Sequence, residues 1–248
     1  MKKINVIFVV FFLSYTSINA QWLIHSTPTD KWLNDIKFVG SSIFVTGNSG
    51  TILKSVNGGL NWTAQSTQNS YDVQTIVFID ANTGFAISSS QYESAILKTT
   101  NGGTNWVIKL SCNRFMFTKA LCFINSNTGY AGGWSFSDTV MFRTTNGGEN
   151  WNAVRINYLA GVDRIQFLNS LTGWAVGGKN DTSHVLKTTD GGYNWNRMYS
   201  QAADPFIYFF AVQFINQLTG WAVGLKPQSV IVKTTDGGAT WTHQYHNH

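Results

Sequence analysis

Five copies of one eight-residue pattern, Ser/Thr-x-Asn/Asp-Gly-Gly-x-x-Trp, restrict what this chain can fold into. They run from Ser55 to Trp62, Thr99 to Trp106, Thr144 to Trp151, Thr188 to Trp195 and Thr234 to Trp241. The tryptophans stand 44, 45, 44 and 46 residues apart. A period of that length marks an array of supersecondary units, none of which can bury its apolar face alone.

Each period holds the makings of four strands. An apolar stretch ends in Phe (Ile36 to Phe38, Ile76 to Phe78, Leu121 to Phe123, Ile165 to Phe167, Val212 to Phe214), and residues two apart in a strand share a face. From the second copy onward a Thr-Gly-aromatic-Ala motif follows, at Thr83, Thr128, Thr172 and Thr219, and the Gly-Gly box follows that. In the fourth repeat the strands are expected at about 162–167, 174–177, 184–188 and 194–198, joined by turns rich in Gly, Asn and Asp. Four antiparallel strands per ~45 residues is the signature of a propeller blade. The chain reads as an all-β propeller of about five four-stranded blades within one domain, residues 21–248, with repeats at about 34–65, 73–110, 118–155, 162–199 and 209–246. Aromatic content of 15% with only 12% charged residues excludes a disordered chain.

The pattern Ser/Thr-x-Asp/Asn-Gly-Gly-x-x-Trp resembles the Asp-box, or BNR repeat, of sialidase-like propellers. The longer combination Thr-Gly-Trp-Ala-Val-Gly, followed by Leu-Lys-Thr-Thr-Asp-Gly-Gly-x-x-Trp, is similar to the Ycf48/Hcf136 family across residues 34–246. That resemblance implies a protein-binding scaffold or assembly factor, the family being named for photosystem II assembly. The sialidase-like kinship implies a second reading, a carbohydrate-binding or glycoside-hydrolase propeller. Ycf48-type propellers have seven blades, so a five-repeat chain departs from the type.

An acidic residue between glycines invites a catalytic or cation-binding role, but three of the five copies carry Asn (Asn57, Asn101, Asn146) where two carry Asp (Asp190, Asp236). A general base does not tolerate that exchange. A turn does, because it needs only the side-chain oxygen that Asn and Asp share. Trp62, Trp106, Trp151, Trp195 and Trp241 then pack as structural plugs.

If the strands alternate in direction, the near-identical turns share one rim and the divergent connections share the other, where binding residues tend to lie. The candidate binding face holds Tyr92, Glu93, Arg114, Trp134, Phe136, Asp138, Tyr158, Arg164, Asp181, His184, Asp204 and Phe206. With two glutamates in the chain, one inside a box at Glu149, the paired-carboxylate chemistry of glycosidases falls on aspartates. No catalytic residue, cofactor or metal site is assigned. His243, His246 and His248 read as a tail. Cys112 and Cys122 are candidates for a local disulfide, with Cys122 as a small core residue the alternative.

Lys2, Lys3 and the apolar run from Ile4 to Leu13, leading to Ala20, read as a secretory signal over residues 1–20; the run is short of the ~20 residues a membrane span needs. The expected location is periplasmic or extracellular. The partner expected is a protein of the cell envelope or an exported complex, with a glycan as the other class. The net charge of +5 falls by two without the leader, and its bases are scattered, many at one repeat position (Lys54, Lys98, Arg143, Lys187, Lys233), as for a periodic surface residue. Nucleic acid is therefore not expected. Gln21 to Thr27, with Trp22, resembles the strand after each box, which makes six outer-strand candidates for five blades. The expectation is a ring of five blades with the N-terminal or C-terminal candidate displaced, or added as a fifth strand.

Overall fold

A computed structural model describes residues 26–113, 115–135, 139–156, 159, 161–179, 182–200, 208–225 and 229–244. The first blade is β1 (Leu33–Val39), β2 (Ser42–Gly47), β3 (Ile52–Ser55) and β4 (Thr63–Ala64). The second is β5 (Asp72–Phe78), β6 (Gly84–Ser89), β7 (Glu93–Thr99) and β8 (Val107–Asn113). The third is β9 (Phe115–Phe123), β10 (Gly129–Ser135), β11 (Thr139–Thr144) and β12 (Asn152–Arg155). The fourth is β13 (Arg164–Phe167), β14 (Gly173–Lys179), β15 (Thr182–Thr188) and β16 (Asn196–Ser200). The fifth is β17 (Tyr208–Phe214), β18 (Gly220–Leu225), β19 (Ser229–Thr234) and β20 (Thr242–His243). Every sheet is four-stranded and antiparallel, in chain order, as expected of propeller blades.

The box is a turn. In the third blade the Thr144 hydroxyl donates to Asn146 Oδ1 (3.0 Å) and accepts the Gly148 N–H (2.8 Å), while Asn146 Oδ1 accepts the Asn150 N–H (3.0 Å). Asp190 in the fourth blade makes the same set with Thr188 and Asn194. Asn and Asp can both fill this turn because the shared set uses one acceptor oxygen; the second oxygen of Asp190 and of Asp236 accepts one further bond, from Asn194 Nδ2 (2.7 Å) and from the Thr240 hydroxyl (2.6 Å). In Asp190 and Asp236 these donors hold the carboxyl well down, at about 2. Glu149 is also held at about 2, by Lys109 and Lys98.

A pH dependence follows. A carboxyl depressed in the folded state stabilises above its unfolded value, 3.8 for Asp, and loses that contribution as pH falls through the folded value. The melting temperature is expected to be flat above about pH 5 and to fall between pH 4 and 2. An Asp190→Asn, Asp236→Asn double variant should stay folded at pH 7, somewhat less stable than the parent, and lose less on acidification. A variant that unfolds at pH 7 would refute the turn reading.

The blades are joined by one repeated clasp. Register sets the second-strand aromatic and the third-strand base side by side: Phe44 with Lys54, Phe85 with Lys98, Tyr130 with Arg143, Trp174 with Lys187 and Trp221 with Lys233. The aromatic stacks on the inner-strand Phe of the next blade, with Phe44 on Phe78, Phe85 on Phe123, Tyr130 on Phe167 and Trp174 on Phe214. The next box Trp meets that Phe edge-on, as Trp106 meets Phe78. The lysines reach across to a box carbonyl: Lys54 to Gly102 O (2.7 Å), Lys98 to Gly147 O (2.6 Å) and Lys187 to Gly237 O (3.0 Å). At the Arg143 position the Tyr130 hydroxyl donates to Gly191 O instead. This corrects the surface reading of the recurrent base, which at Lys54, Lys98 and Lys187 is an inter-blade tie.

Two other expectations are corrected. Four hydrophobic clusters fill the four junctions of five blades, and no fifth cluster joins blade 5 to blade 1 among the described residues. Among the described residues the five blades therefore form an open arc, with Phe38 of blade 1 and Ile231 of blade 5 exposed at its two ends. β20 takes the outer place of blade 5 and no fifth strand is added to any described sheet; Trp22 and the leader lie outside the described residues. Cys112 and Cys122 are free thiols in different blades and different clusters, and burial pushes them up to about 11 and about 12.

Candidate functional site

The rim carrying the divergent connections holds an aromatic and acidic cluster contributed by blades 3, 4 and 5. Glycines make it possible. Gly177 lets the Gly161 carbonyl approach at a place no side chain could occupy, and Gly161 in turn leaves room for the Trp134 indole. The segment is pinned by the Val162 N–H on Gly133 O (3.0 Å) and the Asp163 N–H on Val176 O (2.8 Å). Asp163 is thereby set between two aromatics. The Trp134 Nε1–H donates to its Oδ1 (3.1 Å) and the Tyr208 hydroxyl donates to its Oδ2 (2.8 Å). The rings of Trp134 and Tyr208 stack at 5.6 Å and 21°, and Phe210, exposed, leans on Tyr208 at 5.4 Å.

Burial raises the Asp163 carboxyl above its ordinary value, against the pull of the two donors and Arg164. Burial and Asp163 together raise the Tyr208 phenol. Both carboxylate oxygens accept from aromatic donors, so Asp163 fixes the rings as a platform. Arg164 turns the other way, its Nη1 donating to Lys119 O (3.1 Å), and the Lys119 ammonium donates to Asn34 O (2.7 Å) across from blade 3 to blade 1.

Of the residues expected on this rim, Trp134 is in the cluster and Arg164 is beside it. Tyr92 and Glu93 form a separate group at blade 2, where the Tyr71 hydroxyl donates to the Glu93 carboxylate and Tyr92 is exposed. His184 is placed differently from the expectation. It lies inside β15 at 6% exposed, and burial and Arg197 lower its pKa, so it is a neutral core residue. Arg114, Phe136, Asp138, Tyr158, Asp181, Asp204 and Phe206 lie outside the described residues. Asp163 and Tyr208 were not singled out from sequence. The available signal was a charged pair, Asp163-Arg164, at the entry to an inner strand.

A family profile described as photosynthesis system II assembly factor YCF48 matches residues 149–246, the outer strand of blade 3 and the last two blades. Among solved structures, YCF48 from Cyanidioschyzon merolae superposes with a TM-score of 0.64 at 16% identity, covering 86% of this chain and 72% of that one. The chain has the fold of the Ycf48 propellers, and its C-terminal part matches their family model. YCF48 bound to D1 peptide also aligns, with a TM-score of 0.65 at 17% identity, covering 91% of this chain and 69% of that chain. The GH74 xyloglucanase from Xanthomonas campestris gives a TM-score of 0.65 at 12% identity over 84% of this chain, which spans only 37% of that enzyme's length. Identities this low show a shared fold. A sequence search of the curated proteins finds no match. No helix among the described residues is long and apolar enough to cross a membrane.

Proposed function

We propose that this Ycf48-like chain is a non-catalytic, exported scaffold whose divergent rim holds a segment of a protein partner. The observation that carries the reading is the Trp134–Asp163–Tyr208 platform, a rigid aromatic surface whose carboxylate is already committed to positioning. Rigid aromatic anchors bind with little loss of side-chain entropy. The solved YCF48 bound to D1 peptide supports a peptide as the class of ligand for this fold. Export rests on residues 1–20, and a mature chain starting near Gln21 is the corresponding expectation.

The second reading, a glycan-processing propeller, is favoured by the stacked ring pair beside an acid and by the GH74 likeness. A displayed library of random peptides tests both. Peptides that share a consensus are expected, with binding weakened roughly tenfold or more in Trp134→Ala. Trp134→Phe, which keeps the ring and loses the N–H to Asp163, should fall between. Failure to enrich any peptide, together with binding or cleavage of xyloglucan oligosaccharides, would select the second reading.

A further inference from the structure

Blades 4 and 5 repeat the sequence Gly-Trp-Ala-Val-Gly at 173–177 and 220–224, yet the two copies are buried differently. Val176 and Val185 of blade 4 are 0% exposed beneath blade 5, while their equivalents Val223 and Ile231 are 38% and 45% exposed. The face of blade 5 carrying Trp221, Val223, Leu225 and Ile231 thus repeats a buried packing face of blade 4. Lys233 lies over Trp221 at 5.3 Å, as Lys187 lies over Trp174 at 5.3 Å.

Blade 1 shows the opposite half of the same junction. Phe38 is 73% exposed, whereas its equivalent Phe214 is 1% exposed on Trp174. Ile36, equivalent to the buried Val212, is also exposed. The place where a side chain would stand on Gly102, Gly147 or Gly237 has the preceding blade's lysine within 3.5, 4.0 and 2.9 Å, but at Gly58 nothing lies within 4 Å. Two residues further along the box, Lys98 meets Glu149 at 2.6 Å and Arg143 lies over Tyr193 at 4.0 Å, while Leu60 of blade 1 is exposed.

We propose that these two faces mate with each other between copies of this chain, blade 5 of one copy on blade 1 of the next. Each face has the chemistry the other lacks: Trp221 supplies the ring on which Phe38 would stack, and Lys233 the donor for the Gly58 carbonyl. Contiguous apolar patches with polar rims mark association surfaces. A second copy is the occupant because the chain carries both halves of a junction it already makes four times. The contact is heterologous, so it closes a ring when both junctions form and grows a chain when one does.

Sedimentation of the full chain from about 1 to 100 µM tests this, that being the range in which an interface of modest affinity populates both states. A mass that rises above the monomer with concentration is expected. Ile231→Asp and Phe38→Asp should each weaken association by about tenfold or more, by burying an unpaired charge, without changing the melting temperature of the dilute chain. Leu60→Glu should strengthen it by offering Lys233 the partner that Glu149 offers Lys98. In a mixture of Leu60→Cys and Lys233→Cys chains, a short bis-maleimide should link one variant to the other. A monomer throughout the range with no link in the mixture would overturn the proposal. So would a Leu60→Cys, Lys233→Cys double variant linked only within single chains, since the arc would then close on itself. Association that appears only after residues 1–25 are removed would also overturn it, assigning the face to that segment.

Discussion

Phe214→Ala is expected to destabilise the propeller by about 3–5 kcal/mol, while Phe38→Ala, at the same repeat position, costs under about 1 kcal/mol. The substitution is the same, and only the neighbour differs. Phe214 is buried against Trp174, with ring centroids 3.7 Å apart and planes 12° apart, and Trp241 closes its edge at 5.9 Å. Truncation there leaves a cavity that the rest of the cluster, including Phe209 and Val212, is too constrained to fill. Phe38 stands in solvent with no blade beyond it among the described residues. Measured on dilute chain, where self-association is absent, the melting temperature should drop on the order of 10 °C for Phe214→Ala and by a few degrees at most for Phe38→Ala. Equal losses would mean that the ring is closed.

The second large effect is expected at the box glycine that faces a neighbouring blade. Gly103 has φ of +85°, and a Cβ there would stand 2.6 Å from Phe44 Cε1. Phe44 cannot retreat, because it is buried and stacked on Phe78 at 4.6 Å. Gly103→Ala therefore combines left-handed strain with overpacking, about 3 kcal/mol or more in sum. Gly59 is the same box position in blade 1, with φ of +90°, but its Cβ would meet only Trp62 at an ordinary 3.5 Å. Gly59→Ala should cost about 1–2 kcal/mol, the strain alone. Denaturant midpoints of the two variants check the difference, and similar midpoints would show that the clash relaxes.

Much of the fold was legible because its determinants are local. The box works through hydrogen bonds within five residues, from the Gly192 N–H to the Thr188 hydroxyl and from the Asn194 N–H to Asp190, so the spelling of the turn is visible in any one copy. Strand alternation and the Phe-ending inner strands follow from a period of two. The recurrent base was visible but misread. Lys98 alternates with apolar residues like any surface lysine, and only the neighbouring blade shows its ammonium on Gly147 O. The rim site was partly legible. Trp134 stood out as an aromatic in a divergent connection, but Asp163 and Tyr208 sit at the starts of two inner strands, 45 residues apart, with nothing local to couple them. His184 failed for the complementary reason: a strand that extends to Thr182 carries it indoors.

The amino-acid sequence by itself determined the unit. Its period, its four strands, its box turn and the aromatic and basic residues of its clasp are all written within about 45 residues, because short-range hydrogen bonding and side-chain alternation decide them. The tertiary structure decided how the units add up. Identical Gly-Trp-Ala-Val-Gly segments are buried in blade 4 and open in blade 5, because burial belongs to the junction rather than to the strand. Whether five such junctions close a circle depends on a small rotation accumulated from blade to blade, a sum that no single repeat contains.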